Sequence, residues 1–308
     1  MSGPVSHTGF NAGQFGTQGD LAALDRRIGT IVELGGDVCE LAAVRLDVVS
    51  ACRLLEDRLV VLRTVLARHA IRYTLHAPIA VNLMDEPHLD LQIRAARASL
   101  ELASECAADT VVIHPGRVHP ALWADKARAL LNREQDTLAK LADRADELGV
   151  RIAYENMSPN RRIVGGTETS YALDLAALAA QLAAVGHKAL VACLDVSHAR
   201  QGAVLQGFDM YDQVKVLAPH VGHVHFSDST GIPATIQWDN EGERLFFGVG
   251  DMHAPPGMGE IDFDRLAASL TVQEGTAIVI ELKENHFLHS APQTLQGARL
   301  FASALSRA

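Results

Sequence analysis

Apolar and polar positions follow two alternating patterns along the chain. Short runs rich in valine and isoleucine alternate with longer stretches in which apolar residues return at helical spacing. The short runs predict β-strands and the longer stretches predict amphipathic helices. The predicted strands are Thr8–Phe10, which has the weakest pattern, Val38–Leu41, Arg72–His76, Thr110–His114, Val150–Glu155, Leu190–Asp195, Val221–Phe226 and Ala277–Glu281. The predicted helices are Asp20–Leu34, Glu56–His69, His88–Ala107, Lys126–Leu148, Leu173–Val185, Met210–Leu217, Phe263–Leu270 and Thr294–Ser306.

This alternation predicts an α/β protein with a single (β/α)8 TIM barrel over residues 1–308. Short strands rich in valine and isoleucine are typical of parallel strands covered by helices. The rival architecture, an open doubly wound sheet, would need a glycine-rich phosphate turn after the first strand, and no G-x-G-x-x-G sequence occurs there. The longest irregular segment, Ser229–Pro256, follows the seventh strand, on the rim where the active-site loops of such barrels lie.

Side chains of the metal-ligand type stand at the ends of these apolar runs. One histidine in such a place is usually only a satisfied polar residue, but seven segments share the arrangement. Because the carboxyl ends of barrel strands meet at one rim, the pattern predicts a metal site at the C-terminal rim. The candidate ligands are His76, His114, Glu155, Asp195, His198, His225, Asp251, His253 and Glu281. His223 faces the same side as His225 but one layer deeper, which favours a supporting role.

Imidazole and carboxylate ligands suit zinc, manganese, iron or cobalt. Asp195 and His198 are three residues apart, on one side of a strand-to-helix turn, and Asp251 and His253 are two apart, on one side of an extended segment. Four of the nine candidates are carboxylates. One divalent ion would leave two negative charges in excess, and two or three ions would neutralise them. The charge count therefore favours more than one metal ion per chain.

The composition of the chain argues against some classes of protein. The net charge of −10 and the lack of a Lys/Arg run argue against a general binder of nucleic acid. The four cysteines show no C-x-x-C spacing, which predicts free thiols in a reducing compartment. Neither a secretory signal nor an apolar stretch long enough to span a membrane is recognisable, so we expect a cytoplasmic protein without a membrane partner.

Seven short motifs contain the candidate residues: Leu75–Pro78, Val112–Gly116, Tyr154–Asn156, Cys193–Ala199, Val224–Ser229, Asp251–His253 with Pro256–Asp262, and Ile280–Leu282. With these motifs the sequence resembles the xylose isomerase-like TIM-barrel superfamily. This superfamily holds sugar isomerases and epimerases, inosose dehydratase-type lyases and zinc-dependent abasic-site endonucleases. The resemblance implies that Glu155, Asp195, His225 and Glu281 form the shared metal site. It also implies that the other five candidates complete the multi-metal site of the endonuclease branch.

Two departures distinguish the chain from the endonuclease branch. Those enzymes carry a bulky aromatic–leucine wedge just after the first of these histidines, where this chain has Ile79-Ala80. The chain also has no basic run that would contact DNA. In addition, the stretch Pro255–Asp262 is more typical of sugar isomerase-like members. These observations favour a small polyhydroxylated substrate over nucleic acid.

The leading hypothesis is a metal-dependent isomerase or epimerase of a small sugar or polyol. Glu155 and Glu281 would exchange a carbon-bound proton, and His198 would bind substrate or a second ion. The alternatives are a lyase or dehydratase that uses the same proton abstraction, a multi-metal phosphodiesterase, and, least favoured, a non-catalytic metal-binding protein. The insert Ser229–Pro256, with Trp238, Arg244, Phe246 and Phe247, would cover the substrate or form a contact in a homo-oligomer.

Overall fold

A computed structural model of the chain describes residues 3–13 and 16–307. Within these residues, parallel strands close into a barrel whose neighbours follow chain order, and the last strand pairs with the first. The barrel strands are β1 (Val5–Asn11), β2 (Val38–Ala42), β3 (Arg72–His76), β4 (Ala108–Ile113), β5 (Arg151–Glu155), β6 (Leu190–Asp195), β7 (Val221–Phe226) and β8 (Thr276–Ile280). The predicted TIM barrel is confirmed.

Helices follow the strands and cover the barrel from outside. The longer ones are Leu21–Glu33, Glu56–Leu66, Leu89–Glu105, Pro120–Glu147, Leu175–Val185, Val196–Gln206, Met210–Leu217, Phe263–Ser269 and Glu284–Ala304. Short helices occupy Ala43–Leu46, Arg161–Val164 and Glu241–Phe247. In the described part of the chain, no helix is long and apolar enough to cross a membrane.

The C-terminal helix differs from its predicted bounds. The sequence predicts a start at Thr294, after Pro292, because proline lacks the N–H group and normally ends a helix. The helix instead begins at Glu284 and runs through Pro292. Phe287, Ala291 and Leu295 are buried on its inner face, and this packing outweighs the hydrogen bond lost at the proline.

The helix Val196–Gln206 is not predicted by the hydrophobic pattern. Its start is fixed by Asp195, whose side chain accepts a hydrogen bond from the backbone N–H of His198 at 2.7 Å. A carboxylate at this position satisfies an N–H that the first helical turn leaves free. The same bond holds the last residue of β6 and the candidate ligand His198 in one rigid turn.

Alternation along the strands decides which side chains enter the barrel. Successive side chains of a strand point to opposite faces, so Ala153 shares a face with Glu155, and Cys193 shares one with Asp195. Small buried groups occupy the lower inward positions: Val112, Ala153, Val191 and Cys193 form one cluster, and Val38, Ala277 and Val279 form another. The rim residues therefore stand above a layer of mostly small apolar groups, in which His223 of β7 lies in register with Cys193 and Ala277.

A buried carboxylate joins the helix Pro120–Glu147 to the barrel. Glu134 Oε1 accepts hydrogen bonds from the Gly116 N–H and the Tyr154 hydroxyl, both at 2.7 Å. Its Oε2 accepts from the Tyr171 hydroxyl at 2.6 Å and from Gln181 Nε2 at 3.0 Å. Burial raises the pKa of Glu134 although these donors oppose the shift. Because Tyr154 directly precedes Glu155, this network fixes the end of β5 from outside the barrel.

We expect Glu134→Ala to lower the free energy of unfolding by about 3 kcal/mol, because it leaves several buried donors without an acceptor and opens a cavity. Tyr171→Phe removes one donor and should cost about 1 kcal/mol. Urea denaturation measures both effects. Glu147→Ala, at an exposed position of the same helix, is the control and should change stability by less than about 0.5 kcal/mol. A Glu134→Ala variant as stable as this control would contradict the assigned role.

Candidate metal centre

The structure brings all nine predicted residues together at the C-terminal rim. His76, Glu155 and Asp195 are the last residues of β3, β5 and β6. His225 lies in β7, whereas His114 and Glu281 directly follow β4 and β8. The other three come from the helix Val196–Gln206 and from the insert after β7. Ligand-type atoms of this set fall into groups within 4.8 Å of one another: His76, His114 and Glu155; Glu155, Asp195 and His225; and His198, Asp251 and His253.

Glu155 lies between two of these groups. Its Oε2 is 2.9 Å from His114 Nε2 and 3.3 Å from His76 Nε2. Its Oε1 is 3.1 Å from His225 Nδ1 on the opposite side. Burial raises the pKa of Glu155, but the adjacent imidazoles outweigh burial and hold it well below its ordinary value. One buried carboxylate thus contacts His76 and His114 on one side and His225 on the other.

His225 marks the centre of the second group. Its Nδ1 is 3.8 Å from Asp195 Oδ2 and 3.8 Å from Glu281 Oε2. Asp195 and His225 are fully buried, and Glu281 is 8% exposed. Asn11 Nδ2 donates a hydrogen bond to Glu281 Oε1 at 3.0 Å, which leaves Oε2 directed at the histidine. Three carboxylates that the resemblance assigns to a shared metal site, Glu155, Asp195 and Glu281, therefore lie within 4 Å of His225 Nδ1.

The third group combines the insert with the helix after β6. Asp251 Oδ2 is 2.7 Å from His253 Nε2 and 3.5 Å from His198 Nε2. His198 Nδ1 lies 2.9 Å from the backbone oxygen of Asn156, to which it donates a hydrogen bond, so Nε2 is directed at the site. The segment is not the extended strand that the spacing predicts, since His253 has a φ of 44°. This left-handed backbone is strained for a residue other than glycine.

The buried carboxylates of the site favour bound cations. Burial raises the pKa of Asp195 to about 7, and the neighbouring carboxylates contribute to the rise. Asp195 Oδ2 and His114 Nδ1 are buried and have no hydrogen-bond partner in the described chain. Crowded carboxylates take up protons unless a cation is present. A donor set of imidazoles and carboxylates fits zinc, manganese, iron or cobalt. The role of these nine residues as ligands stays a prediction.

Glu40 is a residue of the site that the sequence reasoning missed. It is buried in β2, and its Oε1 lies 3.0 Å from His225 Nε2. Its Oε2 lies 3.0 Å from His223 Nε2 and accepts a 3.0 Å hydrogen bond from Thr74. A carboxylate on the far nitrogen of a ligating histidine fixes its tautomer and ring orientation. The available signal was a glutamate inside the apolar run Val38–Leu41, which cannot reach water and needs a partner.

A cavity of about 900 Å³ opens above these residues. Trp238 and Arg244 of the insert line the cavity, as does Gln201 beside His198. Phe246 and Phe247 face away from the cavity and are 87% and 50% exposed. The insert therefore divides the aromatic residues that the sequence analysis grouped together: Trp238 faces the candidate site and the phenylalanines face solvent.

The turn Pro255–Asp262 wraps around a carboxylate and not around the site. Asp228 accepts backbone hydrogen bonds from Gly257 at 2.8 Å, Gly259 at 2.9 Å and Ile261 at 3.2 Å. A side chain at Gly259 would come within 2.3 Å of Asp228 Oδ1. Gly257 and Gly259 therefore serve the turn, because both donate their backbone N–H groups to Asp228.

The chain matches the family described as xylose isomerase-like TIM barrel over residues 28–304, and it belongs to that family. Among curated proteins, it is 26% identical over 189 residues to an uncharacterized protein of Methanocaldococcus jannaschii, MJ1311. That match covers 60% of this chain and 58% of the relative, so the chain spans little more than half the length of this relative.

Solved structures with the same fold include sugar epimerases. A D-tagatose 3-epimerase-like protein has a TM-score of 0.68 and 20% identity, with 97% of both chains covered. The D-allulose 3-epimerase of a Methylomonas species, in complex with D-allulose, has a TM-score of 0.68 and 15% identity, with 98% of both chains covered. The IolI protein with a bound zinc atom has a TM-score of 0.66 and 17% identity, with 96% of both chains covered. At these identities the likeness establishes the fold.

We expect Glu40→Gln to weaken zinc binding by about 10- to 100-fold at unchanged stoichiometry, because the neutral amide no longer orients His225. Calorimetric titration with zinc measures the affinity. Glu168→Gln, which changes another carboxylate lining the cavity, is the matched control and should bind zinc like the unmodified chain. Equal affinity in both variants would show that Glu40 has no part in the centre.

Proposed function

We propose that the chain is a metal-dependent isomerase or epimerase of a small sugar or polyol. The observation that carries this proposal is the convergence of Glu155 and Glu281 on His225, with His225 Nδ1 at 3.1 Å from Glu155 and 3.8 Å from Glu281. Two carboxylates around one substrate position can remove a proton from carbon and return it. Neutral sugars need such help because their C–H groups are weak acids.

In this proposal Glu155, Asp195, His225 and Glu281 hold one divalent ion. The bound ion supplies Lewis acidity at the substrate carbonyl and lowers the pKa of the adjacent C–H group. Glu155 and Glu281 face the substrate from two sides: one takes the proton and the other returns it, with inversion if it arrives on the opposite face. His198 Nε2, directed into the site by the bond from Nδ1 to Asn156, contacts a substrate oxygen or a second ion.

Structural neighbours support the proposal. Those named above include a D-tagatose 3-epimerase-like protein and a D-allulose 3-epimerase, and one neighbour carries a zinc atom. The cavity of about 900 Å³ lies within the range of small-molecule sites. Trp238 and Arg244 make the insert the substrate-selecting element, whereas the exposed Phe246 and Phe247 suit a contact between copies of the chain. The free cysteines fit a cytoplasmic location.

A second candidate is a multi-metal phosphodiesterase. The specific observation in its favour is that His76, His114, Asp251 and His253 also converge on the rim and form two further ligand groups with Glu155 and His198. Two or three ions would generate a hydroxide nucleophile and stabilise the leaving oxygen. Ile79, which lines the cavity and is 60% exposed, occupies the position of the DNA wedge and is too small to replace a base. A lyase would use the same proton abstraction as the leading candidate.

We expect Glu155→Gln and Glu281→Gln each to lower turnover about 100- to 10,000-fold, because a neutral amide cannot transfer the proton. The assay follows exchange of carbon-bound protons for deuterium in a panel of ketoses by NMR. Circular dichroism should show an intact fold in both variants. Glu260→Gln, at an exposed position, is the control. Full turnover and full metal content in either rim variant would rule out the assigned roles.

We expect no incision of duplex DNA that contains an abasic site, and binding weaker than about 1 µM at physiological salt. The reasons are the missing wedge at Ile79 and the net charge of −10. Metal content per purified chain completes the test: one ion accords with isomerisation. Incision together with two or three ions per chain would transfer the assignment to the phosphodiesterase.

A further inference from the structure

Arginines surround the cavity above the acidic centre. Arg117 follows β4, Arg161 and Arg162 belong to the loop and short helix after β5, and Arg244 belongs to the insert. Among the described residues, no lysine lines the cavity. Seven of the nine candidate ligands line it, all except Asp195 and His225, and the arginines belong to the loops that follow the strands. A neutral sugar offers no charge that would use this second layer.

Two of these arginines keep a net positive charge at the cavity. Arg162 pairs with Glu168 at 3.0 Å. Arg117 and Arg161 form no ion pair within the described chain. Burial lowers the pKa of Arg117, and the attraction of the nearby Glu168 carboxylate opposes that shift. Arg117 Nη2 donates to the backbone oxygen of Ile79 at 2.9 Å, and Arg161 Nη2 donates to the backbone oxygen of Trp238 at 3.4 Å. Backbone oxygens orient both guanidinium groups, and Glu168 balances only one of the three positive charges of Arg117, Arg161 and Arg162.

Stacking also fixes the position of one guanidinium group. The Arg161 guanidinium carbon lies 3.7 Å from the centre of the Trp238 ring, and that of Arg244 lies 6.0 Å from it. A stacked arginine loses little side-chain freedom when it binds an anion, and its planar fork matches two oxygens of a phosphate group. β4 and β5 are adjacent in the barrel, so the loops that carry Arg117 and Arg161 are neighbours.

We propose that Arg117 and Arg161 bind a phosphate monoester of the substrate, so that the substrate is a phosphorylated sugar or polyol. This inference rests on the proposed function and specifies its substrate class. A phosphate monoester carries up to two negative charges, which match the two positive charges that remain when Glu168 is set against Arg117, Arg161 and Arg162. Its polyhydroxylated part would then extend down to Glu155 and Glu281, and the distance between the two ends would set the length of the substrate.

The test compares four probes on the full-length protein by calorimetric titration: D-fructose, D-fructose 6-phosphate, inorganic phosphate and D-galacturonate. We expect D-fructose 6-phosphate to bind at least about tenfold tighter than D-fructose, as a charge-assisted bidentate pair supplies that much. The Arg117→Met/Arg161→Met double variant should lose about tenfold in affinity for both phosphate probes and keep its affinity for D-fructose. Arg97→Met, at an exposed position outside the cavity, is the control. Repeating the titrations after chelator treatment separates the arginines from any metal-bound phosphate.

Equal affinities for D-fructose and its phosphate would overturn the inference, as would a phosphate preference that survives in the double variant. If D-galacturonate binds as tightly as D-fructose 6-phosphate, the arginines recognise a carboxylate as well as a phosphate, and the inference of a phosphorylated substrate is also wrong. The outcomes separate from those of the proposed function. If the arginines bind phosphate but no sugar exchanges its carbon-bound protons for deuterium, the isomerase proposal is wrong and the phosphate site stands. If unphosphorylated sugars exchange protons and phosphate gives no gain in affinity, only the phosphate site is wrong.

Discussion

The contact of one carboxylate with imidazoles on both of its sides organises the rim of this barrel. Glu155 faces His76 and His114 with one oxygen and His225 with the other. Removing a carboxylate from water costs several kcal/mol unless charged or polar partners replace the solvent. Here the partners come from β3, β4 and β7, so strands that are far apart in sequence must end at the same height. The closed barrel is what makes that possible.

Support for Glu155 comes from both sides of the barrel wall. Inside, Glu40 holds His223 and His225 from the second strand, one layer below the rim. Outside, Glu134 holds the Tyr154 hydroxyl and so fixes the residue before Glu155. Both carboxylates are buried and accept or face several polar groups. The rim is therefore held in place from inside the barrel by Glu40 and from outside by Glu134, whichever metal or substrate binds.

The sequence predicted the barrel and the nine rim residues because both follow from local periodicity. Strand ends meet at one rim by topology, so a side chain at the end of an apolar run has its place assigned once the fold is known. Glu40 was missed because it lies inside a strand and its partners lie in β7, far along the chain. The start of the C-terminal helix was wrong, since the burial of Phe287 and Ala291 is a tertiary effect that overrides the proline. The position of the insert was predicted. Which of its aromatic side chains line the cavity was not, because that depends on packing and leaves no periodic pattern in the sequence.

The insert closes on itself at its base. The backbone N–H of Asp228 donates to Ala254 at 2.7 Å, the N–H of Gly250 donates to Ile232 at 2.8 Å, and the turn beyond is fixed by the Asp228 side chain. These bonds bring the two ends of the tip, Ile232 and Gly250, together at its base, while Asp251 and His253 lie outside the tip. A segment of other length or composition between Ile232 and Gly250 would therefore leave and re-enter the scaffold at the same place. In such a scaffold, evolution or protein engineering can change the loop that selects the substrate separately from the rim residues that carry out the reaction.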